Sequence, residues 1–351
     1  MSLTCYIHQA HCISAQQTFT QTGLDTLIDP VDKKMKAIEP VYEGIPLNIL
    51  RRMGKAVRMG VGAAMPVIKQ ASEVNGIIIG TSNGGMEDCI KFLNQVMQYD
   101  EGLLAPGNFV QSTVNAVAAQ VGLFSHNKSY NITHVQRGLS FENAVIDACM
   151  QLAANKEHHY LLGAVDEISE YNYNIDQLGG WYKDEDTTAV KLFETDSAGC
   201  VAGEGSAMFL VNNNSDGAIA KMKAIATWHS TDDELVKKQL QDIIVIHLQN
   251  SEKIDLLLSG ENADNRFTKY YTSCEGMMDN DCTIARFKHM TGEFTTVSGL
   301  ACWLACTILQ QQNIPAHMIK KAGSSAEYKN ILIYNHYKGY QHSLVLLSLP
   351  G

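Results

Sequence analysis

Thr295–Gln311, TTVSGLACWLACTILQQ, carries no charged residue. Its apolar positions Val297, Leu300, Ala301, Leu304, Ala305, Ile308 and Leu309 follow helical spacing. A helix apolar on most faces is a buried helix. This one is too short, and too rich in glutamine at its end, to span a membrane. An earlier segment, Tyr130–Ala154, reads as a strand, a sharp turn at Gly138 and then a helix with a small-residue face. Two halves, each with a buried central helix, predict a pseudo-duplicated α/β layered fold. The repeat lies in the order of elements; the halves share no sequence identity.

The remaining elements fit that plan. Strands are expected at Thr4–Ile7, Gly76–Gly80 (GIIIG), His159–Ile168 and the end of Ala198–Val211, then at Ala218–Trp228, Ile254–Ser259, Asn330–Tyr334 and His342–Leu349. Helices are expected at Arg51–Ile68, Met86–Gln98, Ser112–Val121 and Asn265–Tyr271. Asp232–Gln249 begins as an amphipathic helix, and its end, Ile243–His247, reads equally well as a strand. NNNSDG at Asn212–Gly217 is the one convincing linker, so the halves are taken as 1–211 and 218–351.

Composition narrows the function. The chain has 351 residues, 45% apolar and 18% charged, with a formal charge of −10. That charge argues against a broad nucleic-acid or anionic-membrane surface. Nine cysteines, an odd number without paired spacing, favour a reducing compartment. MSLTCYIHQA lacks the pattern of a signal peptide, and no run of 18 apolar residues exists. A cytoplasmic protein is expected.

The motifs, in order, resemble those of the β-ketoacyl synthases of the thiolase superfamily. GIIIGTSNGG resembles the family's strand followed by G-T-x-x-G-G. LAPGNFVQSTVNAVAAQVGL resembles its P-x-x-F-x-x-S-x-x-N-x-x-A segment. AVIDA (Ala144–Ala148) sets the register of the nucleophile joint. YLLGAVDEIS, VAGEGSAMFLV and KHMTGEFTTVSG resemble three later segments. The resemblance runs from about Gly76 to the C-terminus. It implies a five-layered αβαβα sandwich, usually a dimer formed through the first half.

The resemblance also implies a cysteine thiolate that accepts the acyl chain and two histidines that assist decarboxylation and stabilise the enolate. The cysteine's position falls on Gly138, or on Arg137 with a one-residue slip. Gly260 or Glu261 takes the first histidine's place, with Asn262 and Asp264 nearby, and Glu293 takes the second's. The family's lysine remains as Lys288, with Glu293 and Glu142 as candidate partners. NHYKGYQHS (Asn335–Ser343) replaces the glycine-rich loop that helps form the family's oxyanion hole.

Scaffold without machinery is similar to a chain length factor, an inactive subunit that pairs with an active ketosynthase. The setting implied is an acyl-carrier-protein-dependent pathway to fatty acid-like, aryl polyene or polyketide products. A second reading is acyl transfer or hydrolysis at a remodelled pocket of His134, Ser140, Glu261, Asn262 and Glu293. A third is a homodimeric acyl-binding scaffold. Ser140 has no visible base and reads first as a helix-start residue. Cys149, Cys302 and Cys306 read as core; two thiols on one helix face make no zinc site. No metal and no cofactor is implied.

Overall fold

The computed structural model describes residues 4–19, 24–102, 104, 106–248 and 252–351. Ala105 of the LAPGNF segment and Gln249 at the end of the Asp232–Gln249 segment lie outside the described residues.

The backbone is an eleven-stranded sheet. Its strands are β1 (Cys5–Ile13), β2 (Gly76–Gly80), β3 (Tyr130–His134), β4 (Tyr160–Asp166), β5 (Gly205–Asn212), β6 (Ala220–His229), β7 (Leu256–Ser259), β8 (Thr283–Arg286), β9 (Ile319–Lys321), β10 (Asn330–Tyr337) and β11 (Gln341–Ser348). The first five lie in the order β1-β5-β4-β2-β3. The β1–β5 and β5–β4 pairings are antiparallel; β4–β2 and β2–β3 are parallel. The second set repeats this order and sense as β6-β11-β10-β7-β8, with β9 added at its edge. The two sets meet along a narrow seam where Cys5, Tyr6 and Ile7 pair with Met222, Lys221 and Ala220.

Eight longer helices accompany the sheet: α1 (Lys55–Gln70), α2 (Met86–Gln98), α3 (Ala116–Phe124), α4 (Ser140–Ala154), α5 (Glu170–Leu178), α6 (Glu234–His247), α7 (Thr268–Glu275) and α8 (Val297–Gln311). Ile243–His247 is thus helical.

Alternation along each strand divides the core into layers. Ile78 faces inward and packs with α4 and α8 (Phe141, Ala144, Leu300, Ala301), together with Leu256 and Leu258 from the second half. Its neighbours Ile77 and Ile79 face outward against α1 and α3, meeting Val57, Val61 and Val117. Leu257 faces outward against α6 and α7, meeting Leu240 and Tyr271. Helix, sheet, helix, sheet, helix is the five-layered αβαβα sandwich the motifs implied. The uncharged helix is α8, buried in its central layer. Both its core-facing stripe and its small residues Gly299, Ala301 and Ala305 are consistent with close packing between two sheets.

Candidate functional site

At the joint after β3 the chain turns sharply before α4. Arg137, exposed at the turn, has φ +54°. A non-glycine residue in this left-handed region costs on the order of 1–3 kcal/mol, and such residues cluster at functional turns. Gly138 follows and is buried. Ser140 fixes the turn: its hydroxyl accepts from the Gln136 N–H and donates to the Arg137 carbonyl, both at 2.8 Å. It is fully buried, with both bonds local.

Nothing could react at Gly138. A Cβ there would stand 2.1 Å from the Tyr337 Cβ. Its N–H donates to Gln341 Oε1 at 2.9 Å, while Gln341 Nε2 donates to the Gln136 carbonyl at 3.2 Å. One side-chain amide therefore occupies both backbone groups of the turn. Tyr337 and Gln341 face each other as a register pair of the β10–β11 hairpin. Asn335–Ser343 is consequently not an open loop. Asn335, His336 and Tyr337 pair with Ser343, His342 and Gln341, leaving only Lys338, Gly339 and Tyr340 as the turn.

On the other side of Tyr337 lies a solvent-open cleft lined by Tyr337, Trp181, Tyr182, Phe267, Asn262 and Glu293 among others. Lys288, at the base of this region, is 1% exposed and donates to Glu293 Oε2 at 2.6 Å. Asn262 Nδ2 donates to the same oxygen at 2.8 Å. The Glu293 backbone is pinned through bonds with Val201 and Gly203. Of the two partners considered for Lys288, it bonds Glu293. Glu142, fully buried, accepts instead from the Ser343 hydroxyl at 2.7 Å, and burial pushes its carboxyl up.

The segment after β7 gives Gly260, Glu261 and Asn262 different surroundings. Asn262, not Gly260 or Glu261, touches Glu293. A Cβ on Gly260 would come within 2.6 Å of Asn335 Oδ1, so no side chain fits. Glu261 turns away to Lys320 and, at 3.4 Å, Arg286. Asp264 lines the cleft but is held by Arg266.

His134 and Ser140 do not line this cleft. His134 bonds Asp147 of α4 at 2.9 Å, beside Tyr130, whose hydroxyl takes the same oxygen at 3.0 Å. Cys149, Cys302 and Cys306 lie in the central core with Cys5, and burial holds the Cys302 thiol well above its usual pKa. Cys200 does reach the cleft, but its thiol is pushed well up by burial and donates to the Trp181 carbonyl. His336, near Lys288, is held well below the usual imidazole range, chiefly by burial. The cleft thus joins no activated nucleophile to a base. Among the described residues no group of three or more His, Cys, Asp or Glu could hold a metal ion.

Sequence reasoning missed Gln341, Tyr337, Trp181 and Glu167. The available signal was the loss of glycines between Asn335 and Ser343, which admits bulky side chains. GTSNGG has a structural role: Asp166 accepts from Thr81, Ser82 and Asn83 of that loop, and from Thr295 and Thr296 at the entry to α8.

The fold is that of a thiolase-type ketosynthase scaffold, with glycine at the turn before α4. A model of the β-ketoacyl synthase N-terminal domain matches residues 30–243, more than half of the chain. The chain belongs to the β-ketoacyl synthase family. Similar solved structures include the ishigamide ketosynthase/chain length factor, at 13% identity and TM-score 0.76, with 100% of both chains covered. A β-ketoacyl synthase from Burkholderia phymatum STM815 is 13% identical, with TM-score 0.77 over 99% of this chain and 100% of that one. A ketosynthase in complex with its chain length factor from Xenorhabdus doucetiae is 12% identical, with TM-score 0.72 over 98% of both chains. At these identities the likeness establishes the fold. No curated protein matches the sequence.

Proposed function

We propose that this chain is a non-condensing ketosynthase homologue. It pairs with an active ketosynthase as a chain-length-factor-type subunit of an acyl-carrier-protein-dependent pathway making fatty acid-like, aryl polyene or polyketide products. The observation that carries the reading is the joint at Gly138. The thiol's place is closed by Tyr337, and the N–H that could stabilise an oxyanion is already bonded to Gln341. Asn262 and Glu293, beside Lys288, occupy the region where the family's resemblance places two imidazoles.

The pairing half of the proposal rests on uncovered apolar surface. In α2 only Asp88 is buried, although the helix is strongly amphipathic. Leu93 and Met97 are 52% and 71% exposed, and Phe109 and Val110 nearby are 59% and 56% exposed. Phe92 joins these groups by a ring contact to Phe109 at 5.4 Å. β3 lies at the edge of the sheet, its outer backbone groups unpaired. Exposed apolar groups of this kind mark protein contacts. We assign them to the dimer surface of the first half, 1–211, with 218–351 as the second half. Two of the similar structures are described as a ketosynthase with a chain length factor, and a third as an acyl-carrier protein with its ketosynthase. Nine unpaired cysteines fit the cytoplasm as its place.

A homodimer of the same surface is the competing assembly. Acyl transfer by Ser140 is disfavoured, because its hydroxyl is committed to Gln136 and Arg137. Co-expression with each ketosynthase of the same genome, followed by size-exclusion chromatography, tests the pairing. A stable one-to-one complex is expected. Self-association alone, with every such ketosynthase, would overturn it.

A further inference from the structure

We infer that the cleft of this chain is a binding site for an uncharged, planar ligand that donates a hydrogen bond to Glu293, and that it rejects carboxylates. The inference holds for the purified chain whether or not it pairs with a ketosynthase.

Glu293 supplies the acceptor. Oε2 takes both internal bonds, from Lys288 and Asn262, whereas Oε1 makes no protein hydrogen bond among the described residues. The side chain retains 11% exposure and lines the cleft. A carboxylate fixed by a buried lysine is a preorganised acceptor: a donor arriving at Oε1 meets an oxygen already oriented and largely stripped of water.

The walls supply the shape. Tyr173 and Tyr182 stack on each other at 5.0 Å and 11°, and Trp181 and Phe267 at 6.3 Å and 8°, so the cleft is walled by two pairs of near-parallel rings. Planar apolar groups fill such walls with little loss of side-chain freedom.

The charges supply the selectivity. Lys338, which lines the cleft, and Lys288 and Arg266, which are bonded to carboxylates that line it, are each paired. Lys288 is bonded to Glu293, Lys338 to Asp176 at 2.7 Å and Arg266 to Asp264 at 2.5 Å. Glu167 adds a further acidic group to the lining. An entering carboxylate would lose water, find each of these three cations already paired and face the Glu293 oxygen. An uncharged donor suffers none of these costs.

The test uses three matched probes: 2-naphthol, 2-naphthoate and 2-methoxynaphthalene. Binding is read by calorimetry, with contacts to the Trp181 indole read by NMR. The naphthol should bind at least about tenfold more tightly than either other probe, a charge-assisted hydrogen bond being worth roughly that factor. The double variant K288M/E293Q removes the ion pair without leaving a lone buried charge, and should bring naphthol to within about threefold of methoxynaphthalene. Its fold is checked by its unfolding transition. Naphthoate binding as tightly as naphthol, a preference unchanged in the double variant, or no binding by any probe would overturn the inference.

Discussion

The Gly138 N–H donates to Gln341 Oε1 at 2.9 Å, across the boundary between the two halves of the fold. Gly138 lies in the turn just before the central helix of the first half, and Gln341 begins the last strand of the second. A backbone donor at a helix N-terminus is where a developing negative charge would be stabilised. Here it is satisfied in advance by a neutral amide. Replacing Gln341 with leucine leaves that buried N–H without a partner, at a cost of about 1–3 kcal/mol. Chemical denaturation should register the loss, with no gain of acylation.

Introducing a cysteine at Gly138 alone should give no accessible thiol. G138C places a Cβ against Tyr337, and overpacking of this kind costs about 1–3 kcal/mol. Its thiol should resist iodoacetamide in the folded state. The triple variant G138C/Y337G/Q341G opens the space, and its thiol should alkylate at least tenfold faster than that of G138C. Equal alkylation of the two would show that Tyr337 does not close the position.

Lys288 and Glu293 test whether the ion pair is coupled. Removing one partner of a buried pair costs about 3–5 kcal/mol, whereas replacing both is often close to neutral. K288M should therefore be more destabilising than K288M/E293Q. A double-mutant cycle by urea denaturation measures the difference, and additivity of the two single changes would contradict the pairing at 2.6 Å.

Stability should also carry a pH signature from Glu167. Burial raises its carboxyl to about 7, against an ordinary value of 4.5, and among the described residues Oε1 has no hydrogen-bond partner. The folded state therefore holds the proton more tightly than the unfolded chain. This contribution is fully present below about pH 4.5 and is lost as pH rises towards 7, by on the order of 3 kcal/mol. E167Q should flatten that part of the stability profile. An unchanged slope in E167Q would place the titration elsewhere.

Asp166 joins the halves by a different route. Its carboxylate accepts from the loop after β2 and from the two threonines before α8. D166N sets an NH₂ group against donors and should cost at least about 2 kcal/mol. Calorimetric unfolding would read this as a lowered transition for both halves together.

Legibility in the sequence followed from how local each signal was. GIIIG and the uncharged Thr295–Gln311 carry their burial in their own composition, so strand, helix and central layer were readable. Met86–Gln98 was readable to its ends through amphipathic spacing. Strand β8 (Thr283–Arg286) and helix α5 were not, because one is four residues long and the other has no buried residue. At the site, a turn residue without a reactive side chain, Gly138, was readable directly. Its closure by Tyr337 and Gln341 was not, since those residues lie about two hundred positions away and only strand register brings them to the joint. The same limit applies to Asn262, whose amide reaches Glu293 only through the bend of the chain after β7.

The most direct measurement is intact-mass spectrometry of this chain after incubation with malonyl- and acyl-loaded carrier protein, alone and with its partner ketosynthase. The expected result is no acyl adduct on this chain in either mixture, acylation of the partner, and longer products only when both chains are present. An acyl adduct on this chain, or products of unchanged length without it, would contradict the non-condensing, length-setting role.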